Sequence, residues 1–238
     1  MSAHHFFVDE TQIAGGVVTI GGDEAHHARV LRVREGERIT VADGTGRVLD
    51  AVVTDNTHDF VADVLAERQL AMPEPSITLF QALTKGDKLE LVVEKATEVG
   101  VRTVVPFIAE RTIVRWDERK LERARERLQA IARASAKQSR SAFVPTVESF
   151  SDQASVRVEP TLVLHEEATE RMRAALPSDV PAELALVVGP EGGLSPGEVE
   201  GLVASGGRAV TLGDRILRTE TAGPVAVAVV GYAYGWFG

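Results

Sequence analysis

The chain has 238 residues, which at about 150 residues per domain corresponds to one large or two modest domains. Hydrophobic residues make up 44% and charged residues 26%, a composition typical of a folded globular protein and not of a disordered one. The sequence contains no cysteine, which excludes disulfide frameworks, thiolate nucleophiles and cysteine-ligated metals and is compatible with a reducing compartment. The amino terminus lacks the basic and apolar regions of a secretion signal, so export is not expected.

The net charge of −9 argues against a polyanionic partner, but the charge is unevenly distributed along the chain. Residues 85–145 hold 14 basic and 9 acidic groups, whereas the segments before and after them are acidic. A basic stretch of this kind is compatible with nucleic-acid binding. A solvated, charged helix face explains the same distribution equally well.

The first 70 residues predict a small β-rich barrel or sandwich, because short runs of strand-forming residues alternate with Gly and Asp turns. Asp43-Gly44, between two such runs, indicates a hairpin. One helix is predicted over 23–33, with Asp23 as its N-cap. The predicted strands are 6–10, 17–20, 37–44, 47–55 and 60–68.

A domain boundary is expected in the proline-containing segment 71–76, which favours an extended linker. It divides the chain into domains 1–72 and 73–238. Downstream, strands alternate with helices, which is typical of an α/β domain with a parallel sheet. Strands are predicted at 77–83, 101–109, 161–166, 183–189 and 208–213, and helices at 85–100, 117–138, from 195–196, and in 221–238.

The carboxy-terminal segment 221–238 carries no charge over 18 residues, close to the length of a membrane-spanning helix. It contains four glycines, one proline and few large aliphatic residues, and no basic flank follows it. These features favour a buried helix packed against a second subunit of a soluble protein.

The sequence VVGPEGGLSPGEVE at 187–200 predicts a strand, a glycine-rich loop and a helix. Such a loop presents backbone N–H groups at a helix N-terminus. Pro190 removes one donor and Glu191 adds negative charge, so the loop suits a neutral or cationic ligand better than a pyrophosphate. A tight turn that needs glycine for steric reasons alone is the other interpretation, and the residues by themselves slightly favour it.

Two further segments combine loops with charged residues. In TLGDRILRTETA at 211–222, Ile216 and Leu217 form either an apolar wall between arginines or a surface loop anchored by two aliphatics. In AKQSRSAFVPTV at 136–147, Gln138 and Arg140 could contact phosphate or a base edge, or belong to a solvated helix end.

Together, GPEGG at 189–193, LGDRILRTETA at 212–222, KGDKLELVVEKATEVGV at 85–101 and the KQSR segment near 137–145 resemble the RsmE family. HHARVLRVREGE at 26–37 resembles the amino-terminal RNA-binding segment of that family. Its members are SPOUT-superfamily methyltransferases that methylate N3 of a uridine in 16S rRNA. The resemblance covers essentially the whole chain. GPEGG alone also occurs in other SPOUT enzymes, whereas the ordered set indicates the family.

The resemblance implies a PUA-like β-barrel domain followed by a SPOUT α/β domain whose carboxy-terminal part forms a trefoil knot. It implies a homodimer that binds S-adenosylmethionine (SAM) through three loops. Gly223-Pro224 departs from the alanines common in similar proteins, and Thr221 as N-cap would place Pro224 in the first helical turn. The implied cofactor-binding residues are Leu164, His165, Glu166, Gly189, Glu191, Gly192, Gly193, Leu212, Gly213, Ile216, Leu217, Arg218 and Thr219.

Arg140 and Arg218 are the implied catalytic candidates, as cations that stabilise a developing uridine anion; no general base stands out. The chain is expected to act in the cytoplasm on 16S rRNA or the small ribosomal subunit, without a metal, since no histidine pair has metal-ligand spacing. A non-catalytic RNA-binding assembly factor and a SPOUT enzyme for another RNA are the alternatives. The implied RNA-binding residues are His27, Arg29, Arg32, Arg34, Lys85, Arg111, Gln138 and Arg140.

Overall fold

The structure is a computed structural model that describes residues 4–113, 116–151, 156 and 158–237. The chain divides into two compact units, of which the first comprises Met1–Met72 and Ala136–Val144 and the second Pro73–Ser135 and Pro145–Gly238. The predicted division differs at 136–144, which it assigned to the second domain. This segment joins the first unit because Ala136 and Ala142 are buried against apolar residues of that unit, such as Phe7.

The first unit is built on a six-stranded sheet with strand order β1-β4-β5-β6-β3-β2. Strand β1 pairs with β4 in parallel, and the other neighbours are antiparallel. Alternate strand residues point into one apolar core, which includes Phe6, Ile39 and Phe60. Its elements are β1 (His4–Phe7), a 3-10 turn (Glu10–Gln12), β2 (Ile13–Ala14), β3 (Val17–Ile20), α1 (Gly22–Val30), β4 (Arg38–Ala42), β5 (Arg47–Asp55) and β6 (Phe60–Gln69).

Local sequence signals in this unit are mostly confirmed. The hairpin at Asp43 joins β4 to β5, and its carboxylate accepts hydrogen bonds from the backbone N–H groups of Thr45 (2.7 Å) and Arg47 (3.3 Å). The prediction that Asp23 caps α1 is wrong, because Gly21 is the N-cap and Asp23 already lies in the first turn. There its negative charge interacts favourably with the positive end of the helix dipole.

The second unit contains a six-stranded sheet, with order β12-β10-β11-β7-β8-β9, in which all neighbouring strands are parallel. Its strands are β7 (Ser76–Ala82), β8 (Thr103–Phe107), β9 (Thr146–Val147), β10 (Thr161–Leu164), β11 (Glu183–Val188) and β12 (Arg208–Val210). Its helices are α2 (Lys88–Glu98), α3 (Glu118–Gln138), α4 (Met172–Ala175), α5 (Pro196–Ala204) and α6 (Thr219–Ala233), and the last residues of α3 belong to the first unit.

Both faces of this parallel sheet are buried, as the continuous apolar runs of its strands predict. Leu79 and Leu186 point to a core that includes residues of α2 and α6, such as Val227. Phe80 and Val187 point to the opposite face, where Leu202 of α5 packs. The carboxyl ends of β7, β10, β11 and β12 therefore lie along one edge of the sheet.

Helix α6 begins at Thr219 with Arg218 as the N-cap, so the prediction of a Thr221 cap is wrong. Pro224 consequently occupies the sixth helical position instead of the first turn. Gly223 allows close packing on β7, because a Cβ atom there would lie 3.0 Å from Gln81 Oε1 and 3.1 Å from Leu79 Cδ2. Among the described helices, none combines the length and hydropathy needed to cross a membrane.

We expect Leu186→Ala to lower the free energy of unfolding by about 2–5 kcal/mol, because it leaves a cavity in the centre of the sheet. Leu91→Ala removes the same atoms from a side chain that is 42% exposed and should change it by less than about 0.5 kcal/mol. Guanidinium unfolding of both variants measures the difference; equal losses would contradict the assigned core.

Candidate functional site

A cavity of roughly 750 Å³ lies in the second unit, at the carboxyl edge of its parallel sheet. Its walls come mainly from the loops that follow β10, β11 and β12 and from the first turn of α6. Ligand sites of α/β sheets commonly occur outside the carboxyl ends of the strands, and this volume is typical of a small-molecule site.

The loop after β11, GPEGG at 189–193, requires glycine at two positions. Gly193 has φ +70°, and a Cβ atom there would lie 3.0 Å from Glu166 Oε1. At Gly189 a Cβ atom would lie 2.9 Å from the backbone nitrogen of Leu194. Gly192 differs, because its backbone φ is ordinary and a Cβ atom would meet Arg111 at a normal 3.6 Å. Steric constraints therefore explain why glycine occupies positions 189 and 193.

Two groups hold this loop from outside. Arg111 Nη1 donates to the carbonyl oxygens of Gly192 (3.0 Å) and Leu194 (3.3 Å). Ser195 then caps α5 in the predicted capping box with Glu198, and its hydroxyl also donates to Glu110 Oε2 at 2.6 Å. These hydrogen bonds fix the backbone of the loop where it enters α5.

A buried hydrogen-bond chain connects the loop to the start of α6. The Thr219 hydroxyl donates to the Gly189 carbonyl oxygen at 2.6 Å, and Gln81 Nε2 donates to the Thr219 hydroxyl at 3.0 Å. Both side chains are at most 7% exposed. Strand β7, the GPEGG loop and α6 are therefore joined beneath the cavity.

The cavity mouth carries an acid–base cluster. Lys88 Nζ lies 2.9 Å from Glu191 Oε1, which also accepts from the Lys85 backbone N–H at 3.1 Å. Burial tends to raise the pKa of Glu191, but the hydrogen bond from Lys88 and those from backbone N–H groups outweigh it, and the pKa is lowered. Glu191 therefore stays ionised in a lysine-paired state.

Glu220 forms the deeper part of this cluster. Its side chain is 12% exposed, and its carboxylate lies 3.9 Å from both Lys88 Nζ and Arg218 Nη1. The Oε2 atom is buried and has no hydrogen-bond partner among the described residues. A buried, unsatisfied carboxylate oxygen is costly, so the cavity offers an acceptor for a donor or cation.

Most residues predicted to bind the cofactor lie together. Of the thirteen, twelve line the cavity, including Leu164, His165 and Thr219. Gly192 does not. Arg218 lies on the cavity wall with its side chain 85% exposed, whereas Arg140, the other catalytic candidate, belongs to the first unit and does not line this cavity.

The residues predicted to bind RNA are distributed over both units. The first unit holds His27, Arg29, Arg32, Arg34, Gln138 and Arg140, and the second holds Lys85 and Arg111. All except the partly buried His27 are exposed. Arg111 is partly committed to the GPEGG loop, and Arg29 donates to the His58 carbonyl oxygen. Burial lowers the pKa of His27, and the positive charge of Lys137 lowers it further.

Three residues of this site were not predicted from the sequence: Gln81, Lys88 and Glu220. Gln81 is a polar side chain within an apolar strand, a signal that could have identified it. Lys88 opens α2 after the carboxyl end of β7, where a charged residue reaches the sheet edge. Glu220 lies in the TETA segment, but the sequence carries no sign that its carboxylate is buried.

Comparison with known proteins gives the class of this fold and site. The family described as "RNA methyltransferase domain" matches residues 72–231, and that described as "RNA methyltransferase PUA domain" matches residues 20–65. The chain is therefore an RNA methyltransferase with a PUA-like amino-terminal domain.

Individual relatives define the family more closely. The chain is 38% identical to the ribosomal RNA small subunit methyltransferase E of Mycobacterium bovis, over 97% of this chain and 92% of the relative. It is 35% identical to that of Bacillus subtilis, over 90% and 89%. The Neisseria gonorrhoeae ribosomal RNA small subunit methyltransferase E, whose crystal structure is bound to S-adenosyl methionine, superimposes with a TM-score of 0.88 at 30% identity over 100% of both chains. This chain belongs to the ribosomal RNA small subunit methyltransferase E family, as the resemblance predicted.

We expect Lys88→Met to raise the pKa of Glu191, because it removes a direct hydrogen bond and a positive charge from the carboxylate. Lys95→Met is the matched control, since Lys95 lies on the same helix but pairs with Glu94 and Glu98. Side-chain carboxyl NMR titration measures both. An unchanged Glu191 titration in Lys88→Met would contradict the described pairing.

Proposed function

We propose that this chain transfers a methyl group from SAM to N3 of a uridine in the 16S rRNA of the small ribosomal subunit. The observation that carries the proposal is the cavity formed by the loops after β10, β11 and β12 in a member of this family. The name of the relatives supports the rRNA substrate, and the ligand of the Neisseria gonorrhoeae structure supports the cofactor.

The lining of the cavity fits SAM, which carries a sulfonium, an ammonium and a carboxylate group. Four carboxylate and four cationic side chains line the cavity, so both signs of charge are available to it. We assign the ammonium or sulfonium end to the unsatisfied carboxylate oxygen of Glu220. The partly buried Leu164, Leu212 and Leu217 supply apolar surface for the adenine.

When bound, SAM supplies an activated methyl group, and the protein must orient the acceptor and favour loss of its proton. Uridine N3 becomes nucleophilic as its proton leaves, which places negative charge on the base. Arg218, exposed on the cavity wall, is the proposed cation that stabilises this charge. Arg140, the other catalytic candidate, lies in the first unit and does not line the cavity, so we propose that it contacts RNA away from the reacting base. A single preorganised donor contributes about 3 kcal/mol to such a step. Alignment of the reacting atoms supplies the remaining acceleration.

The second unit is proposed to have the SPOUT topology with a carboxy-terminal trefoil knot. The path of the chain supports this proposal. Strand β12 lies at one edge of the sheet, but α6, which follows it, packs on the central strands β7 and β11. Thr219, at the start of α6, also donates a hydrogen bond to the Gly189 carbonyl oxygen. The proposed domains are 1–72, for RNA binding, and 73–238, for methyl transfer, except that 136–144 belongs to the first unit.

We also propose a homodimer that works in the cytoplasm, where its rRNA substrate is made. Exposed apolar side chains support an interface: Ile216 on the cavity wall is 85% exposed, and Tyr232 near the end of α6 is 76% exposed. Large apolar groups of this kind commonly mark protein interfaces.

Incubation of the purified chain with SAM and small subunits from a strain that lacks the modification tests the activity. We expect one 16S uridine to gain 14 mass units, the difference between a methyl group and a hydrogen, with N3 identified by nucleoside chromatography. Purified tRNA is the substrate control. RNA binding with neither saturable SAM binding nor methylation would favour an assembly factor, and modification of tRNA alone would indicate a different substrate.

We expect Gly193→Ala to weaken SAM binding about tenfold, because an alanine at φ +70° costs about 1–2 kcal/mol and its Cβ presses on Glu166. Gly192→Ala is the matched control in the same loop, since its Cβ has ordinary contacts, and it should bind SAM normally. Calorimetry with SAM measures both. Equal weakening by the two substitutions would contradict the assigned loop geometry.

A further inference from the structure

A second cavity, of roughly 300 Å³, lies wholly within the first unit, and none of the proposed SAM-binding residues lines it. Its volume is at the lower end of the range for small-molecule sites, about 300–1,000 Å³. The lining combines an imidazole, two guanidinium groups and small apolar surfaces. The residues are His5, Thr40, Val48, Arg68, Leu70, Arg140 and Ala142.

His5 is a buried polar group without a complete set of partners. It is 8% exposed, and its Nε2 atom has no hydrogen-bond partner among the described residues. The ring packs edge-on against Phe7 at 5.3 Å between centroids and hydrogen-bonds to the Ser141 backbone. Burial lowers the pKa of His5, and the nearby charges of Arg140 and Lys137 add to this effect. The neutral ring therefore presents Nε2 as an acceptor that lacks a donor.

Arg140 occupies a backbone position that normally favours glycine. It follows α3 in a Schellman motif, in which its N–H donates to the Lys137 carbonyl oxygen at 3.2 Å and the N–H of Ser141 to that of Ala136 at 2.9 Å. Its φ is +57°, the left-handed region that a side chain disfavours. The Arg140 guanidinium makes no hydrogen bond or ion pair with the residues that the structure describes. An arginine at a strained position, whose charge pairs with none of the described residues, points to a role in binding.

We propose that this cavity binds one unpaired ribonucleotide of the RNA substrate. Arg140 contacts the phosphate, together with Arg68, which also donates to Asp50 at 3.3 Å. A ribose 2′-hydroxyl donates to His5 Nε2. A nucleotide supplies both the anion and the donor that these side chains require, whereas an inorganic anion supplies only the first. The proposal rests on an RNA substrate but not on methyl transfer, and it concerns a contact separate from the reacting uridine.

The test measures binding of a fluorescent ten-nucleotide uridine RNA to the full chain by anisotropy, without SAM and at constant salt. We expect Arg140→Gln to weaken binding about tenfold, since it removes a charge-assisted contact. His5→Phe, which keeps the aromatic packing and removes the acceptor, should weaken it severalfold. Arg38→Gln is the control, because it deletes the same charge from an exposed site on β4 outside the cavity and should change affinity less than twofold.

Equal losses in Arg140→Gln and Arg38→Gln would overturn the proposal in favour of unspecific electrostatic attraction. Unchanged binding by Arg140→Gln and by a correctly folded His5→Phe would overturn it as well. The deoxyuridine oligonucleotide of the same length should bind more weakly than the RNA. Equal binding of both would remove the assignment to a ribonucleotide. A chain that binds RNA in this way but does not methylate the subunit would leave this site standing and reject only the proposed activity.

Arg140→Gly separates binding from stability. Glycine fits the left-handed position, so the midpoint of thermal unfolding should stay the same or rise by up to about 2–4 °C, while RNA affinity falls as in Arg140→Gln. If this variant unfolds earlier and keeps its RNA affinity, the arginine serves the fold and the proposal fails.

Discussion

The hydrogen bond from Thr219 to the Gly189 carbonyl is the contact on which the site geometry depends. It joins the residue that begins α6 to the first residue of the loop after β11, and Gln81 of β7 donates a hydrogen bond to Thr219. These groups are 30 and 138 residues apart in the chain. Because the two side chains and the Gly189 residue are buried, breaking one of these hydrogen bonds would leave an unpaired polar group without access to water. The loops around the cavity are therefore positioned by the core of the sheet.

The cavity is held by these buried hydrogen bonds, and it also contains a charged group that lacks a complete set of hydrogen-bond partners. Glu191 is neutralised by Lys88, but Glu220, the second residue of α6, retains a buried oxygen without a hydrogen-bond partner in the described part of the chain. Cavities that bind a charged ligand commonly leave a polar group to be satisfied by that ligand, since a self-satisfied site would gain little from binding it. The glycines at 189 and 193 keep the backbone close to this space.

The first unit shows a related compromise at Arg32 and Arg140. Among the described residues, these are the two non-glycine residues with positive φ, and both follow the last turn of a helix. Cations near a helix carboxyl end interact favourably with its dipole, which offsets part of the backbone cost. The rest of this backbone cost is consistent with arginines whose charge binds another molecule, as proposed for Arg140 in the second cavity.

Periodicity and turn chemistry in the sequence were sufficient to predict the strands of both units except the two-residue strands β2 and β9. They also predicted the parallel α/β character of the second unit, the capping box at Ser195 and the hairpin at Asp43. They were sufficient because each depends on residues a few positions apart. The motif set also led to the family. Tertiary structure alone decided that 136–144 joins the first unit, that Gly193 and not Gly192 faces the cavity, and that Glu220 is buried beside Lys88. It also decided where α6 begins. These features depend on which distant groups share one buried space, and a local pattern carries no information about that.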